Sequence, residues 1–263
     1  MDKVVSSAAE AVADVRDGAS IAVGGFGLSG IPWVTIAALL EQGASGLTIV
    51  SNNCGVDGAG LGVLLSARRI DRVIASYIGE NKEFARQFLN GEVQVELTPQ
   101  GTLAERLRAG GAGIAAFFTP TGVGTLVAEG GLPWRHDAEG RVVVASPAKE
   151  VREFDLGGRR REFVLEEGIV TDFAFVRAAV ADRHGNAVFH AAARNFNPAA
   201  AMAGKVTVLE AERVVEPGEI HPDDVQLPGV FVQRVVELTP EQAVDKRIEK
   251  RTVSVRPEKT GAP

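Results

Sequence analysis

Ser20-Ile21-Ala22-Val23-Gly24-Gly25-Phe26-Gly27-Leu28-Ser29-Gly30-Ile31-Pro32 opens as a short apolar run, becomes a glycine-rich loop and ends at a proline, where a helix can begin. The order is strand, glycine loop, helix. Four glycines stand within the seven residues from Gly24 to Gly30, more than a tight turn alone requires. Glycines let backbone N–H groups come close to a phosphate, and a helix N-terminus adds partial positive charge. Gly25, Gly27 and Gly30 also satisfy G-x-G-x-x-G. A dinucleotide site further requires an acidic residue at the end of the next strand, and Leu47 to Val50 runs instead into Ser51-Asn52-Asn53. That pattern disfavours the dinucleotide reading of the glycine loop.

On either side of this loop, up to about residue 120, short β-rich runs alternate with helical patterns. Strands are expected at Ser20 to Val23, Leu47 to Val50, Arg72 to Ile78, Val93 to Leu97 and Ile114 to Phe118. Helices are expected at Trp33 to Gln42, Gly62 to Arg69, Lys82 to Asn90 and Thr102 to Ala109, several of them stopped by glycine. Val4, Val5, Ala8, Val12 and Val15 repeat at helical spacing and predict a first helix at the N-terminus. This is the rhythm of an α/β fold with an open, mainly parallel sheet flanked by helices. Its strand-end loops, GGFGLSG, SNNCG, GEN and TPQG, fall on the edge where such sheets bind ligands.

The pattern changes after Pro120. Residues 141 to 167 predict a hairpin turning at Gly157-Gly158, part of an antiparallel β insert near 122–170. Asp172 to Asp182 is apolar and meets the turn Arg183-His184-Gly185-Asn186, with Ala187 to His190 returning. A short helix at Pro198 to Ala203 and a β-rich Val206 to Leu209 follow. The basic end, 246–263, is expected to be a mobile tail. No repeat or low-complexity linker divides the chain, which reads as one domain over 1–263.

Of the 263 residues 45% are hydrophobic, and 28 Lys and Arg face 34 Asp and Glu for a net charge of -6. No field of one sign is available to hold nucleic acid or an anionic membrane surface. No apolar run approaches the roughly 20 residues needed to cross a bilayer, and the start lacks a signal-peptide block. The single cysteine, Cys54, excludes an internal disulfide and a thiolate metal cluster, which suits a reducing cytoplasm.

Several blocks carry a more specific likeness. Asp17-Gly18 through Gly24-Gly25-Phe26 to Pro32 resembles the first signature of family I CoA-transferases. The resemblance continues in Ser51-Asn52-Asn53, Gly79-Glu80-Asn81, Glu96-Leu97-Thr98-Pro99-Gln100-Gly101-Thr102-Leu103-Ala104-Glu105 and Phe118-Thr119-Pro120-Thr121-Gly122. Ala193-Arg194-Asn195-Phe196-Asn197 and Leu227-Pro228-Gly229 extend it toward the C-terminus. The likeness is to the alpha chains of the two-chain enzymes, of the succinyl-CoA:3-oxoacid type.

That resemblance implies the CoA-transferase and sugar-phosphate isomerase-like fold and ping-pong acyl transfer through a glutamyl thioester, with no cofactor beyond CoA as substrate. It implies a CoA contact along Gly24, Gly25, Phe26, Gly27, Leu28, Ser29 and Gly30. It makes Asn52, Asn53 and Gln100 amide donors for a substrate carboxylate or an oxyanion. It also implies a partner, the beta subunit, which carries the nucleophilic glutamate. Glu80 is the one rival within this chain, but Gly79 stands where the S-E-N-G nucleophile signature has Ser, and Lys82-Glu83-Phe84 where it has Gly and apolar residues. Asn81 as a helix N-cap and Glu83 in the first turn explain G-E-N-K-E without catalysis.

The remaining candidates carry less. His136, His184, His190 and His221 show no metal-ligand spacing, and Cys54 reads as a small buried hydrophobe. Two alternatives stay open at this point: the alpha subunit of an acetate or butyrate CoA-transferase, and a non-catalytic module sensing a CoA ester or sugar phosphate.

Overall fold

The computed structural model describes residues 1–245; the basic tail at 246–263 lies outside the described residues. In chain order the elements are β1 Val4–Val5, α1 Ala8–Val12, β2 Ser20–Val23, α2 Trp33–Gln42, β3 Leu47–Val50, α3 Gly62–Ser66, β4 Ile70–Ala75, α4 Lys82–Leu89, β5 Gln94–Leu97 and α5 Gln100–Gly111. The second half holds β6 Ala116–Thr119, α6 Leu126–Glu129, β7 Pro133–His136, β8 Val142–Ala145, β9 Val151–Asp155, β10 Arg160–Glu167, β11 Thr171–Ala178, β12 Val180–Asp182 and β13 Ala187–Val188. It ends in α7 Asn197–Ala203, β14 Gly204–Ala211, β15 Val214–Val215, β16 Arg234–Glu237 and α8 Pro240–Val244.

Eight strands form one sheet in the order β1-β16-β14-β11-β2-β3-β4-β5, and every neighbouring pair is parallel. Parallel strands covered on both faces must be apolar on both faces, and these are. Ile21, Val23, Ile49, Phe173 and Phe175 point to a core shared with α1, α2, α3 and α4. Ala22, Val50, Ile74, Ala174 and Val176 point to the opposite core with α5 and α7. The chain runs outward from β2 to β5 and then returns to add β11, β14 and β16 on the other side. The strand order therefore reverses between β2 and β11, where ligand crevices form in such sheets.

The strands expected at 20–23 and 47–50 and the helix at 33–42 have the bounds read from sequence, while β4 begins two residues early and stops at Ala75. Two expectations are corrected. Val4 and Val5 belong to no helix: the β-branched pair joins the open edge of β16, and Ser7 starts α1 by accepting a hydrogen bond from Glu10 N at 3.1 Å. The run near Ile114 to Phe118 adds no fifth parallel strand. As β6 it pairs antiparallel with β10 in a separate three-stranded sheet. Beyond the insert, β11 and β14 are central in the main sheet.

Antiparallel pairing occupies 116–167. The β9–β10 hairpin turns at Gly157 and Gly158 with φ of 66° and 80°, the pair of positive values that a two-residue I′ turn needs. A charge cluster ties this part to the main sheet. Arg106 of α5 donates to Glu96 of β5 at 2.7 Å and to the Glu167 carbonyl at 2.9 Å, and Lys149 donates to Glu166 at 2.6 Å. Burial raises the Glu96 pKa, but Arg106 and Arg72 outweigh it and hold the carboxyl below its usual range.

Candidate active site

The loop after β2 is a closed turn: Phe26 N donates to Ser29 O and Ser29 N to Phe26 O, each at 3.0 Å. A second turn of the same form follows β3, with Val56 N to Ala59 O at 3.2 Å and Ala59 N to Val56 O at 3.1 Å. Positive-φ glycines bracket both, Gly25 and Gly30 around the first and Gly55 and Gly60 around the second. The turns touch, and a Cβ on Gly60 would stand 2.8 Å from Ile31 Cδ1.

Beside these twin lips opens a cleft of about 960 Å³, lined from the ends of four consecutive parallel strands. Phe26 to Ser29 come from β2, Asn52, Asn53 and Val56 from β3, Ser76, Tyr77, Gly79 and Glu80 from β4, and Gln100 from β5. At its floor Asn52 Oδ1 accepts from Gln100 Nε2 and from Ser76 Oγ, each at 2.9 Å. Asn52 Nδ2 then faces Asn53 Oδ1 at 3.4 Å. The two asparagines are buried, whereas Gln100 is exposed at the start of α5, with one N–H and its carbonyl oxygen left for a ligand. The floor thus carries uncharged amides whose orientation is set by their own contacts, suited to a carboxylate or an oxyanion.

Of the expected glycine loop, Phe26, Gly27, Leu28 and Ser29 form the wall, while Gly24, Gly25 and Gly30 stand behind it. Glu80 is the carboxylate among the lining residues. It is exposed with φ 64°, a conformation L-residues seldom adopt. Asn81 caps α4, accepting from Phe84 N at 2.9 Å while its Nδ2 donates to the Cys54 carbonyl at 2.8 Å. Cys54 is 1% exposed, and burial pushes its thiol pKa up, so it is no thiolate.

Sequence reasoning passed over Val56, Ser76 and Tyr77. The second lip did leave a sequence signal: Gly55 to Gly60 repeats the spacing of Gly25 to Gly30. Tyr77, 53% exposed, stands over Gly79, where a Cβ would lie 2.2 Å from the phenol oxygen. Nothing in the local pattern of residues announces that contact. His184 lies in the β12–β13 turn, donating its backbone N–H to Asp182 Oδ1. Among the described residues no group of three or more His, Cys, Asp or Glu side chains is arranged to hold a metal, and no helix is long and apolar enough to cross a membrane.

The family model for coenzyme A transferase matches residues 5–238. The chain belongs to the coenzyme A transferase family. It is 64% identical over 253 residues to the alpha-type (A) chain of the probable succinyl-CoA:3-ketoacid coenzyme A transferase of Mycobacterium tuberculosis, covering 96% of this chain and 99% of that protein. The Bacillus subtilis protein of the same name is 54% identical, covering 96% of each chain. Human mitochondrial succinyl-CoA:3-ketoacid coenzyme A transferase 2 is 49% identical over 95% of this chain, which spans 47% of that longer protein.

Among solved structures, the Escherichia coli O157:H7 acyl-CoA transferase YdiF superposes with a TM-score of 0.73 at 24% identity over 92% of this transferase chain, which spans about half, 48%, of that protein. Glutaconate coenzyme A-transferase of Acidaminococcus fermentans gives 0.73 at 23%, covering 92% of this chain and 77% of its own. At those identities the likeness is one of fold.

Proposed function

We propose that this chain is the alpha subunit of a heteromeric transferase that moves CoA from succinyl-CoA to a 3-oxoacid, acetoacetate foremost, and that a beta subunit supplies the nucleophile. The observation that carries the reading is the 64% identity running the length of the chain to the alpha-type chain of an enzyme named for that activity. In the proposed cycle the partner's glutamate attacks the thioester carbonyl and the CoA thiolate leaves, giving an acyl-glutamyl anhydride. The thiolate attacks the glutamyl carbonyl, succinate departs, and acetoacetate repeats the sequence in reverse on the enzyme thioester. No other cofactor takes part.

This chain's share is binding and charge stabilisation. Gln100 and the paired amides of Asn52 and Asn53 hold the acid carboxylate or the developing oxyanion, and the Phe26–Ser29 lip forms the wall along which the CoA thioester lies. Glu80 stays outside the covalent chemistry, consistent with an exposed carboxylate next to the α4 cap. The setting is the cytoplasm, in keeping with a single buried thiol.

The purified chain should transfer no CoA from succinyl-CoA to acetoacetate until a beta subunit is added. Borohydride reduction of the enzyme thioester followed by peptide mass spectrometry should mark a glutamate of the partner. Label on Glu80, or full turnover by this chain alone, would overturn the assignment. An acid panel on the assembled pair separates acetoacetate from acetate or butyrate as acceptor.

A further inference from the structure

The segment Ala193-Arg194-Asn195-Phe196-Asn197 lies outside the cleft lining, yet two of its side-chain amides reach the back of the first lip. Asn195 Nδ2 donates to the Ser29 carbonyl at 3.1 Å and to Ala192 O at 2.8 Å, while its Oδ1 accepts from Phe196 N at 2.6 Å. Asn197, 0% exposed, donates to the Gly30 carbonyl at 3.0 Å and to Ala193 O at 2.8 Å. Its Oδ1 accepts from the backbone N–H of Arg177 in β11 at 3.1 Å. Every hydrogen of the Asn197 amide is thus used, and the lip is tied through it to a central strand.

The same contact explains two glycines that do not line the cleft. A Cβ on Gly24 would stand 2.0 Å from Asn197 Oδ1, and one on Gly30 would stand 2.6 Å from the Ala193 carbonyl. Phe26 completes the contact from the lip side, its ring centroid 6.5 Å from that of Phe196. The lip is closed on itself by the Phe26–Ser29 pair of hydrogen bonds, and the Asn195 and Asn197 contacts anchor its back. Pro32, at the N-cap of α2, offers no side-chain cap, and Phe26 itself is 46% exposed.

We propose that Asn195 and Asn197 are positioning residues that clamp the glycine lip into the cleft wall, acting on bound substrate only through Phe26–Ser29. The clamp is a property of the fold; its effect on turnover rests on the cleft being the CoA-transfer site. A wall free to swing by about an ångström loses the preorganisation that a bound thioester needs, and rate suffers before folding does.

Asn195 is the residue to change, since Asn197 is core. Asn195→Ala removes both its donor and its acceptor. Asn195→Asp keeps the Oδ1 that Phe196 N uses but cannot donate to Ser29. Hydrogen exchange of residues 26–30, read on this chain without substrate, should quicken roughly tenfold in both variants, with exchange in β3 and β11 unchanged. In the assembled enzyme kcat should fall about tenfold in both, with a smaller change in KM. Wild-type exchange across the lip in Asn195→Asp would overturn the clamp. Quickened exchange with wild-type kcat would overturn the positioning role. If the wild-type pair moves no CoA at all, the proposed function fails while the exchange result still decides the clamp.

Discussion

Gln100 and Glu210 show how a single side chain's neighbours set what it does. Gln100 spends one N–H on Asn52 and presents the rest to the cleft. A hydrogen bond to a charged group contributes about 1.5 to 3 kcal/mol, so Gln100→Ala should lower kcat/KM of the assembled enzyme roughly ten- to a hundredfold. Steady-state kinetics across several acids checks this, and unchanged efficiency for all of them removes Gln100 from the site. Glu210 of β14 is 0% exposed. Its Oε2 accepts from Thr35 N and Oγ1, each at 3.0 Å, and Arg177 Nη1 stands 3.5 Å from Oε1. Burial pushes its pKa up, against Arg177 and Thr35, from 4.5 to about 7.

The sign of the resulting pH dependence follows from which state keeps the proton. Between about pH 4.5 and 7 the folded chain holds a proton that the unfolded chain has released, so this group's contribution to stability is lost as pH rises through that window. The full change is on the order of 3 kcal/mol. Urea midpoints of wild type should fall over pH 5 to 8 relative to Glu210→Gln, whose amide does not titrate. Parallel curves for the two proteins would show that Glu210 stays ionised throughout.

At the scale of elements, α2 begins without a cap of its own and takes one from across the sheet, since Glu210 meets the Thr35 amide in its first turn. The lip before it is similarly held from outside. Gly24→Ala, which places a methyl against Asn197 Oδ1, should destabilise the chain by about 1 to 3 kcal/mol, the usual range for overpacking a fitted core. Thermal unfolding measures it, and an unshifted midpoint would mean that the back of the lip has room to spare. The strand-loop-helix order around this lip was legible from residues 20–32 because β-branched residues, glycines and a proline each impose a local backbone preference. The partners of the lip were not, because Asn195 and Asn197 meet it from about 167 residues away in the chain.

For the whole molecule, the antiparallel part meets the main sheet layer through β7, which packs by β5 and α4, and through a buried charge cluster. Arg106 is the bridge, with Glu96, Glu166 and the Glu167 carbonyl around it. Removing it leaves Glu96 with Arg72 alone, Glu166 with Lys149 alone and the Glu167 carbonyl without this donor, so Arg106→Ala should cost about 1 to 3 kcal/mol. It should also expose 116–167 to proteolysis before the parallel sheet opens. A simultaneous loss of both parts, with no protease-sensitive intermediate, would show that the two melt as one unit.

By itself the sequence determined the α/β class, the bounds of β2, β3 and α2, the Gly157-Gly158 hairpin turn and the amides at the strand ends. Each of those is written in neighbours a few residues apart, where periodicity, turn chemistry and capping act. Only the tertiary structure decided that β11 and β14 lie at the centre of the sheet, that β6 leaves it, and that Val56, Ser76 and Tyr77 share a cleft with the glycine lip. Strand pairing and side-chain packing join residues far apart in the chain. A run of apolar residues fits either a parallel or an antiparallel neighbour equally well until the rest of the core has chosen its place.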